Sequence, residues 1–544
     1  MNCARRFCFS WVHVILAFGA VWLLSACSDG QRTPVDIGNK QQILHIGNGD
    51  EPADVDPHVT TGIPERQIQV ALFEGLTSKS AETLEPQPGV ARDWDISDDG
   101  LVYTFYLNEQ ARWSNGDVIT AGDFVWSWHR ALLPALGNQY AYSLYTIKNA
   151  EAFHLGRISD FNAVGVTAVD DHTLRIELEA PVPYFLELLD HHSFYPVHRA
   201  TIEQFGRPDQ RGTRWTRPEH FVGNGPFTLK SWEPNRVLVV EKNPHYWDAD
   251  QVRLNEIHFY PVQQPTTEER MFRAGQLHII NLLTEERVPR YLKMEHAALR
   301  SFANYATYYY EFNTRVEPLN DPRVRRALSL AIDREQITEQ MLRGGQRPAE
   351  HFTPPGAGYH ANARVSYDPE RAQQLLAEAG YPNGEGFPTL NILYNTLDAH
   401  ERIAVVIQQM WRQTLNIDVT LRNQDWRVFL ASKRSGDYHI ARSGWVADYY
   451  DPNSFLDMFV TEGGNNDTGW SNARYDELIG LAARTEDQHQ RMEYFQEAEA
   501  ILLDEAPVAP IYFYQYNHLV SPSVRGWHSN VMKHVNYKGV YLEP

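Results

Sequence analysis

The chain has 544 residues, of which 69 are acidic and 49 are basic, so its formal net charge at pH 7 is −20. This acidic balance argues against nucleic acid or anionic lipid as the main partner, because like charges repel. The length predicts two or three domains. Aromatic residues make up 12% of the chain, which is enough to line a sizeable groove.

The N-terminus has the pattern of an export signal. Arg5 and Arg6 precede an apolar run over residues 7–24, and Leu24-Ser25-Ala26-Cys27 closes that run. A basic start, an apolar centre and a small-residue end are typical of secretory signal peptides. The small residues before Cys27 resemble a lipobox, which implies removal of residues 1–26 and a lipid anchor on Cys27. A plain signal peptide or an uncleaved anchor helix is the alternative.

The segment after Cys27 has no hydrophobic periodicity. Residues 28–41 are polar, so we predict that 27–42 form a tether between a lipid anchor and a globular body that starts near Ile43. The other two cysteines, Cys3 and Cys8, lie in the signal. The mature chain is therefore predicted to have no disulfide, and its length lets it bury enough apolar surface without one. No later stretch approaches 18 consecutive apolar residues, the length expected of a spanning helix.

Several segments follow the patterns of strands or helices. Apolar and polar residues alternate over 101–107 and 173–179, and each run follows a turn signal, which predicts strands with one solvated face. Asp-Pro pairs at Asp321 and Asp368 supply an N-cap and a first-turn proline. They predict helices that run to the glycines near 344 and 380.

The stretch from 390 to 448 predicts a β-α-β-α-β unit. Strand-like residues 390–394, 417–421 and 438–442 are separated by helical runs over 398–414 and 425–434. Such units form parallel sheets, and open α/β sheets bind ligands beyond the carboxyl ends of the strands. We therefore predict that residues 442–448 leave the last strand in an exposed turn at a binding site.

The sequence lacks the common catalytic motifs. It has no His-Glu-x-x-His, no Gly-x-Ser-x-Gly, no Walker loop and no dinucleotide glycine fingerprint. His191, His192 and His198 lie close in sequence, but a histidine-rich turn is more often solvated surface than a metal site. We predict no catalysis, no metal and no cofactor.

The turn from Arg442 to Tyr449 has the groups that a zwitterionic peptide needs. Asp448 can pair with an α-ammonium, Arg442 can bind a carboxylate through two hydrogen bonds, and backbone amides can pair with an extended peptide by strand addition. From the residues alone, the two side chains could equally neutralise each other.

From about residue 42 to the C-terminus, the chain resembles the periplasmic oligopeptide-binding proteins, the family 5 solute-binding proteins of ABC peptide importers. Each motif that carries the resemblance is weak by itself, but their common order is specific. The motifs are Asp56-Pro57-His58, Leu72-Phe73-Glu74-Gly75-Leu76, Pro88-Gly89-Val90-Ala91, Trp113-Ser114-Asn115-Gly116, Asp123-Phe124-Val125, Pro181-Val182-Pro183-Tyr184-Phe185, Asn224-Gly225-Pro226-Phe227, Asn243-Pro244-His245-Tyr246-Trp247, Tyr308-Tyr309-Tyr310-Glu311 and Trp445-Val446-Ala447-Asp448-Tyr449.

The resemblance implies an α/β fold with two lobes, three domains, a hinge and mixed β-sheets. It implies a split lobe I, an inserted small domain, and a lobe II that carries the ligand anchors. The limits are 43–73, 200–305 and 516–544 for lobe I, 74–199 for the small domain, and 306–515 for lobe II. The implied partners are short peptides and the permease and ATPase of an importer, with a monomer in the periplasm or cell envelope.

The resemblance also implies roles for individual residues. Asp448 matches the carboxylate that receives the peptide α-ammonium, and Arg442 and His400 match positions that take the terminal carboxylate at different peptide lengths. Other positions match the groove walls and the backbone that pairs with the ligand: Thr61, Ile63, Tyr140, Tyr309, Trp426, Gly444, Trp445 and Val446.

The chain departs from the family pattern at several groove positions. A cysteine pair often present in the family falls on Ala306 and Val446, a lysine falls on Leu342 beside Arg343, and a glutamate falls on Thr61. These departures leave the peptide length open. A murein tripeptide, a nickel chelate or haem are alternative ligands on the same fold, and an envelope chaperone or a lipid-anchored peptidase is an alternative of a different class.

Overall fold

The computed structural model describes residues 32–544 except 285, 425, 462, 464 and 486, and it does not describe the side chains of Trp426 and Arg427. The export signal and Cys27 lie outside the described residues. Within them, no helix is both long and apolar enough to span a bilayer.

The strands are numbered in chain order. They are β1 (Ile43–Gly47), β2 (Thr77–Lys79), β3 (Pro86–Pro88), β4 (Ala91–Ile96), β5 (Val102–Leu107), β6 (Val166–Asp170), β7 (Thr173–Glu177), β8 (Phe227–Glu233), β9 (Val237–Lys242), β10 (Glu256–Tyr260), β11 (Leu299–Phe312), β12 (Arg347–Pro348), β13 (Leu390–Asn395), β14 (Val419–Gln424), β15 (Ile440–Val446), β16 (Val508–Leu519), β17 (Val524–Arg525) and β18 (Tyr541–Leu542).

The α-helices connect and cover these strands. They are Pro34–Gln41, Ile63–Leu72, Ala121–Leu132, Ala150–His154, Phe185–Leu188, Arg199–Phe205, Pro265–Arg273, Val288–Lys293, Pro322–Leu330, Pro369–Glu378, Asp398–Leu415, Trp426–Ser435, Asn453–Leu456, Ala473–Ala482 and Gln488–Glu505.

Three larger sheets organise the chain. One has the order β1-β10-β9-β8, the second has β4-β5-β7-β6, and the third has β12-β16-β11-β15-β13-β14. The third sheet is mixed, because β13 pairs in parallel with β14 and β15, whereas β11 pairs antiparallel with β15 and β16. The α/β class with mixed sheets is therefore confirmed.

Each larger sheet has its own hydrophobic core. Residues of 76–194 form one cluster around Phe105, Trp113 and Trp128. A second cluster surrounds the first sheet and combines apolar residues from the ranges 44–73, 195–259 and 520–542. The sheet that contains β15 has apolar clusters on both faces. Apolar packing specific to each larger sheet is the arrangement expected of a chain with several domains.

The predicted strands over 101–107 and 173–179 are present as β5 and β7, with alternating burial. The helix predicted from Asp368 is also present. The helix predicted from Asp321 to 344 is shorter, because it ends at Leu330. Asp333 then accepts the Gln336 N–H over 2.9 Å and starts a separate π-helical segment, Gln336–Leu342.

The β-α-β-α-β unit is confirmed, with β13, β14 and β15 as its parallel strands. The exposed turn predicted for residues 442–448 is wrong in part. β15 continues to Val446, because β11 pairs with it as far as Ala306. Local sequence could not show this, since the partner strand lies more than 100 residues away.

The N-terminal segment is not patternless throughout. Pro34–Gln41 is a helix with a capping box formed by Thr33 and Asp36. Gly38 packs so closely that a Cβ there would lie 2.4 Å from the Ile43 carbonyl oxygen and 2.9 Å from the His278 ring. The helix is therefore docked on the first sheet, and the tether predicted over 27–42 is shorter than expected.

Candidate functional site

Beyond Ala441, one edge of β15 has no strand beside it among the described residues. β13 pairs with β15 only at Ile440 and Ala441, so residues 442–446 have a partner on the β11 side alone among the described strands. The Ala447 N–H donates to Tyr305 of the β11 segment over 3.1 Å. Because backbone groups alternate along an antiparallel ladder, the N–H and C=O groups of Gly444 and Val446 face the open side.

This open edge is accessible. Gly444 is exposed, and 56% of the Val446 surface is exposed. A Cβ atom at Gly444 would lie 2.8 Å from the Tyr514 hydroxyl oxygen. Glycine at this position avoids that clash. An extended peptide could therefore add to β15 as a further strand.

Asp448 lies just beyond one end of that edge. Its backbone N–H donates to the Ser454 hydroxyl over 3.0 Å. Burial raises the pKa of its carboxyl to about 6, and the positive charge of Arg66 opposes that rise. None of the described cations forms an ion pair with this carboxylate within 4.0 Å. It is a largely desolvated anion that a ligand ammonium could neutralise.

Two tyrosines of the inserted segment face Asp448. The pKa values of Tyr140 and Tyr142 are raised by burial and then by the charge of Asp448. The Tyr140 ring lies 4.8 Å from the His191 ring and 5.2 Å from the His192 ring. The charge of Asp448 thus reaches the Tyr140 hydroxyl.

Arg442 lies at the other end of the open edge. Its guanidinium stands 4.8 Å from the centre of the Tyr308 ring and donates to the Tyr514 hydroxyl over 2.9 Å and to Asn395 Oδ1 over 3.3 Å. Its Nε is buried without a hydrogen-bond partner in the described chain. Arg442 and Asp448 do not form the ion pair that the sequence left open, so Arg442 keeps the capacity to bind a carboxylate.

His400 is close to Arg442. Its Nδ1 lies 3.4 Å from the Tyr308 hydroxyl. Burial and, after it, the charge of Arg442 lower the pKa of His400 to about 3, so the imidazole is neutral at pH 7. The structure therefore brings together the two residues predicted at the carboxylate end, with His400 as a neutral hydrogen-bonding group.

The opposite face of β15 is fixed by buried charges. The Lys433 ammonium lies 2.9 Å from a Glu311 carboxylate oxygen and donates to the Ser443 hydroxyl over 3.1 Å. Trp445 donates from its indole to the Ser454 carbonyl oxygen over 2.5 Å. These contacts fix the strand and the loop that follows it. Trp445 therefore stabilises the site from the face of the sheet opposite to Arg442.

The predicted role of Tyr309 is not supported. Only 1% of its surface is exposed, and its ring lies 4.9 Å from the Phe352 ring in the core below the sheet. Successive side chains of a strand point to opposite faces, so Tyr308, not Tyr309, shares the face of Arg442. The side chain of Trp426 lies outside the described residues.

The remaining predicted residues lie on the lobe I side. Thr61 is exposed, and 61% of the Ile63 surface is exposed at the start of the helix Ile63–Leu72. The two positions where the family often has cysteines, Ala306 and Val446, are direct partners across β11 and β15.

The sequence suggested that the histidines near residue 191 lie on the solvated surface, and the structure contradicts this for two of them. His192 and His198 are buried, and their Nδ1 atoms lie 2.7 Å from the Pro57 carbonyl oxygen and the Thr201 hydroxyl respectively. No group of three or more potential metal ligands is found among the described residues.

Comparison with protein families identifies the chain. Residues 85–467 match the model of the bacterial extracellular solute-binding proteins, family 5 Middle. The chain belongs to this family. Membership confirms the resemblance drawn from the sequence motifs.

Individual relatives cover nearly the whole of this family 5 protein. The periplasmic oligopeptide-binding protein OppA of Salmonella typhimurium is 35% identical, with 97% of this chain and 98% of the relative covered. The solved murein tripeptide-binding protein MppA of Escherichia coli gives a TM-score of 0.79 at 35% identity, covering 92% of this chain and 98% of that one. Haemophilus influenzae OppA in complex with the peptide RPPGFSPFR gives a TM-score of 0.79 at 32% identity, covering 93% and 99%.

Sequence reasoning missed several residues of this site. Tyr308 and Tyr514 surround Arg442, and Arg66 acts on Asp448 from the lobe I helix. The alternation of β11 could have identified Tyr308, because Tyr308 and Tyr310 lie on one face. Nothing in the local sequence marks Tyr514 or Arg66, since both reach the site only through the tertiary fold.

Proposed function

We propose that this chain is the solute-binding component of an ABC peptide importer, and that it encloses short peptides between its two lobes. The observation that supports this most directly is the open edge of β15, with an anion at one end and a cation at the other. A peptide would lie antiparallel to β15, with its ammonium at Asp448 and its carboxylate at Arg442 and His400. Main-chain hydrogen bonds do not depend on side chains, so specificity is expected to be loose.

The distance between the anchors favours short ligands. Residues 442 and 448 are six positions apart, which corresponds to about 20 Å along a strand. If the side chains of Arg442 and Asp448 extend towards the ligand, they shorten the distance that the peptide itself must span. An extended peptide of about three to five residues fits between them.

We propose that residues 43–73, 200–305 and 516–544 form lobe I, 74–199 the inserted domain, and 306–515 lobe II. The hydrophobic clusters support this division, although Tyr195 and Val197 pack with lobe I and shift that boundary to about residue 195. The long strands β11 and β16 connect the lobes, and their pairing shifts register between Ala303 and Thr307. This irregularity is our candidate for the hinge.

We further propose a periplasmic or cell-envelope location, a monomeric state, a lipid anchor on Cys27 and no catalytic turnover. The relatives named periplasmic support the location. Intact-mass spectrometry of the exported protein would detect the diacyl modification. Mass spectrometry of trialanine after a long incubation would detect cleavage, which the proposal excludes.

The test of peptide binding is mass spectrometry of small molecules released from the purified protein by mild denaturation, followed by calorimetry with trialanine and N-acetyl-trialanine. A mixture of short peptides with free ends, and tighter binding of the free amine, is expected. Equal affinity for the acetylated peptide would favour a chaperone-like groove, and a single nickel chelate or haem species would replace the peptide assignment.

A murein tripeptide is the second candidate ligand, because the Escherichia coli murein peptide-binding protein MppA is 36% identical over 92% of this chain. Competition calorimetry separates the two ligands. If murein tripeptide displaces trialanine at far lower concentration than other tripeptides do, the murein ligand replaces the broad peptide assignment.

A further inference from the structure

The loop that follows Asp448 is bound by a side chain of the proposed inserted domain. Glu187 lies in the short helix Phe185–Leu188, and its Oε2 atom accepts a hydrogen bond from the Tyr450 backbone N–H over 3.0 Å. The two residues are 263 positions apart in the sequence. The hydrogen bond therefore connects the inserted segment 74–199 to the backbone two residues beyond the proposed ammonium anchor.

Two tyrosine rings meet at the same contact. Tyr184 precedes the helix that carries Glu187, and its ring stacks on the Tyr449 ring with the ring centres 4.2 Å apart. Only 8% of the Tyr449 surface is exposed, and Tyr449 belongs to the hydrophobic cluster that the inserted domain forms. The Asn453 side-chain amide donates to the Tyr184 hydroxyl over 3.3 Å. Three residues of the loop therefore contact the inserted domain.

The backbone of Asp448 is thus fixed from two sides. Before it, the Ala447 N–H donates to the Tyr305 carbonyl oxygen over 3.1 Å, and the Asp448 N–H itself donates to the Ser454 hydroxyl over 3.0 Å. After it, the hydrogen bond to Glu187 holds the chain. The hydrogen bonds between a carboxylate and an ammonium depend on distance and direction. A loop that could shift would therefore bind the ammonium less well.

Glu187 acts at this contact as a hydrogen-bond acceptor more than as a charge. Burial raises the pKa of its carboxyl to about 7, against the effects of Lys79, the backbone hydrogen bond and Arg491, while the charge of Asp451 adds to the rise. Lys79 lies 3.9 Å from Asp190, and Arg491 donates to Asp451 over 2.7 Å, so these charged groups have partners of their own. Near pH 7 the carboxyl is about half protonated, and an oxygen of either form can accept the N–H.

We propose that Glu187 is a positioning residue for the ligand ammonium. By accepting the Tyr450 N–H, it fixes the loop in which Asp448 lies and so holds the Asp448 carboxylate where the ammonium binds. This inference rests on the proposed function, because it takes the ligand ammonium to lie at Asp448. The inserted domain then supports ammonium binding through the backbone of the loop.

The test compares two uncharged replacements of Glu187. Glu187→Gln keeps a side-chain oxygen that can accept the Tyr450 N–H, whereas Glu187→Leu has a similar size and no acceptor. Both remove the charge, so the difference between them isolates the hydrogen bond. Glu109→Leu is the control, at an acid of the inserted domain whose side chain is 70% exposed. Calorimetry measures the affinities for trialanine and N-acetyl-trialanine, and thermal melting shows that each variant is folded.

Glu187→Leu is expected to bind trialanine about five- to tenfold more weakly than the wild-type protein, the loss that corresponds to one hydrogen bond. Glu187→Gln and Glu109→Leu should bind it like the wild-type protein. All four proteins should bind N-acetyl-trialanine equally, because that ligand has no ammonium. In the Asp448→Asn protein, Glu187→Leu should cause no further loss, since its effect acts through Asp448.

Unchanged trialanine affinity in a folded Glu187→Leu protein would overturn the proposal. The same loss in Glu187→Gln and Glu187→Leu would also overturn it, since the charge and not the hydrogen bond would then matter. An equal loss for the acetylated peptide would make Glu187 a general support of the groove and refute a role at the ammonium. If trialanine fails to bind the wild-type protein, the proposed function itself fails, so the two failures are distinguishable.

Discussion

Asp448 combines three properties at the scale of one residue: it is largely desolvated, it lacks an ion-pair partner among the described residues, and it follows an open strand edge. A carboxylate in this position is costly to leave ionised unless a cation approaches it. The ligand ammonium would be that cation. This makes the contribution of Asp448 to binding measurable in a single substitution.

We expect Asp448→Asn to weaken trialanine binding by roughly 2 to 5 kcal/mol, because the buried ammonium would lose its charged partner. Calorimetry of the wild-type and variant proteins measures the difference. Asp437→Asn, at an exposed acid that binds Arg422, is the matched control and should have no effect. A loss of the same size for N-acetyl-trialanine would show that Asp448 supports the groove and does not bind the ammonium.

The pKa of Asp448 predicts how affinity depends on pH. On the proposed function the ligand binds the ionised carboxyl, whereas burial raises the pKa of this carboxyl in the free protein to about 6. The affinity should be highest near pH 7, and it should fall above about pH 8, where the ligand ammonium loses its proton. Below pH 6 it should fall about tenfold per pH unit, as a proton competes with the ammonium for Asp448. The ligand carboxylate, with an ordinary pKa near 3.5, stays ionised in this range. Trialanine affinities at pH 7.5, 6.5, 5.5 and 4.5 test this, and a flat profile would contradict it.

At the scale of one element, β15 has two different edges. The edge toward β11 is fully paired, whereas the backbone groups of Gly444 and Val446 face the groove. A proline can replace a strand residue whose N–H does not take part in the ladder. Val446 is such a residue, and Trp445 is not.

We expect Val446→Pro to fold and to lose about five- to tenfold in trialanine affinity, the equivalent of about one main-chain hydrogen bond. Val446→Ala removes the side chain but keeps the N–H, and it should change the affinity less. Calorimetry gives the affinities, and thermal melting reports on folding. An unchanged affinity for a folded Val446→Pro protein would rule out strand addition at this residue.

At the scale of the whole molecule, the proposed division puts the proposed anchors in lobe II and the segment with Thr61 and Ile63 in lobe I. A ligand that contacts both sides stabilises the arrangement in which the lobes are close. The two strands that connect the lobes are irregular between Ala303 and Thr307, where a local change of backbone angles could move the lobes.

We expect small-angle X-ray scattering to show a smaller radius of gyration in the presence of saturating trialanine. The Asp448→Asn protein at the same peptide concentration is the control, because it should remain largely unliganded and unchanged. Superimposable curves for the wild-type protein with and without peptide would exclude closure of the lobes by a hinge.

The sequence by itself determined the α/β class, the β-α-β-α-β unit, the strands β5 and β7 and the family. These features depend on short-range patterns, namely apolar periodicity, Asp-Pro helix starts and ordered motifs. They can therefore be recognised without knowing which distant segment packs against them. It also singled out Arg442, His400 and Asp448. The fold places Arg442 and His400 beside Tyr308 and Asp448 beyond the far end of β15.

Only the tertiary structure decided which groups meet there. β11 extends β15 beyond the predicted strand end and directs Tyr309 into the core, because pairing with a distant strand fixes which residues share a face. The N-terminal helix forms although its sequence lacks an apolar stripe, since Gly38 lets it dock on the first sheet. The charge of Arg66 likewise lowers the pKa of Asp448 only in the folded chain, because more than 300 residues separate the two in the sequence.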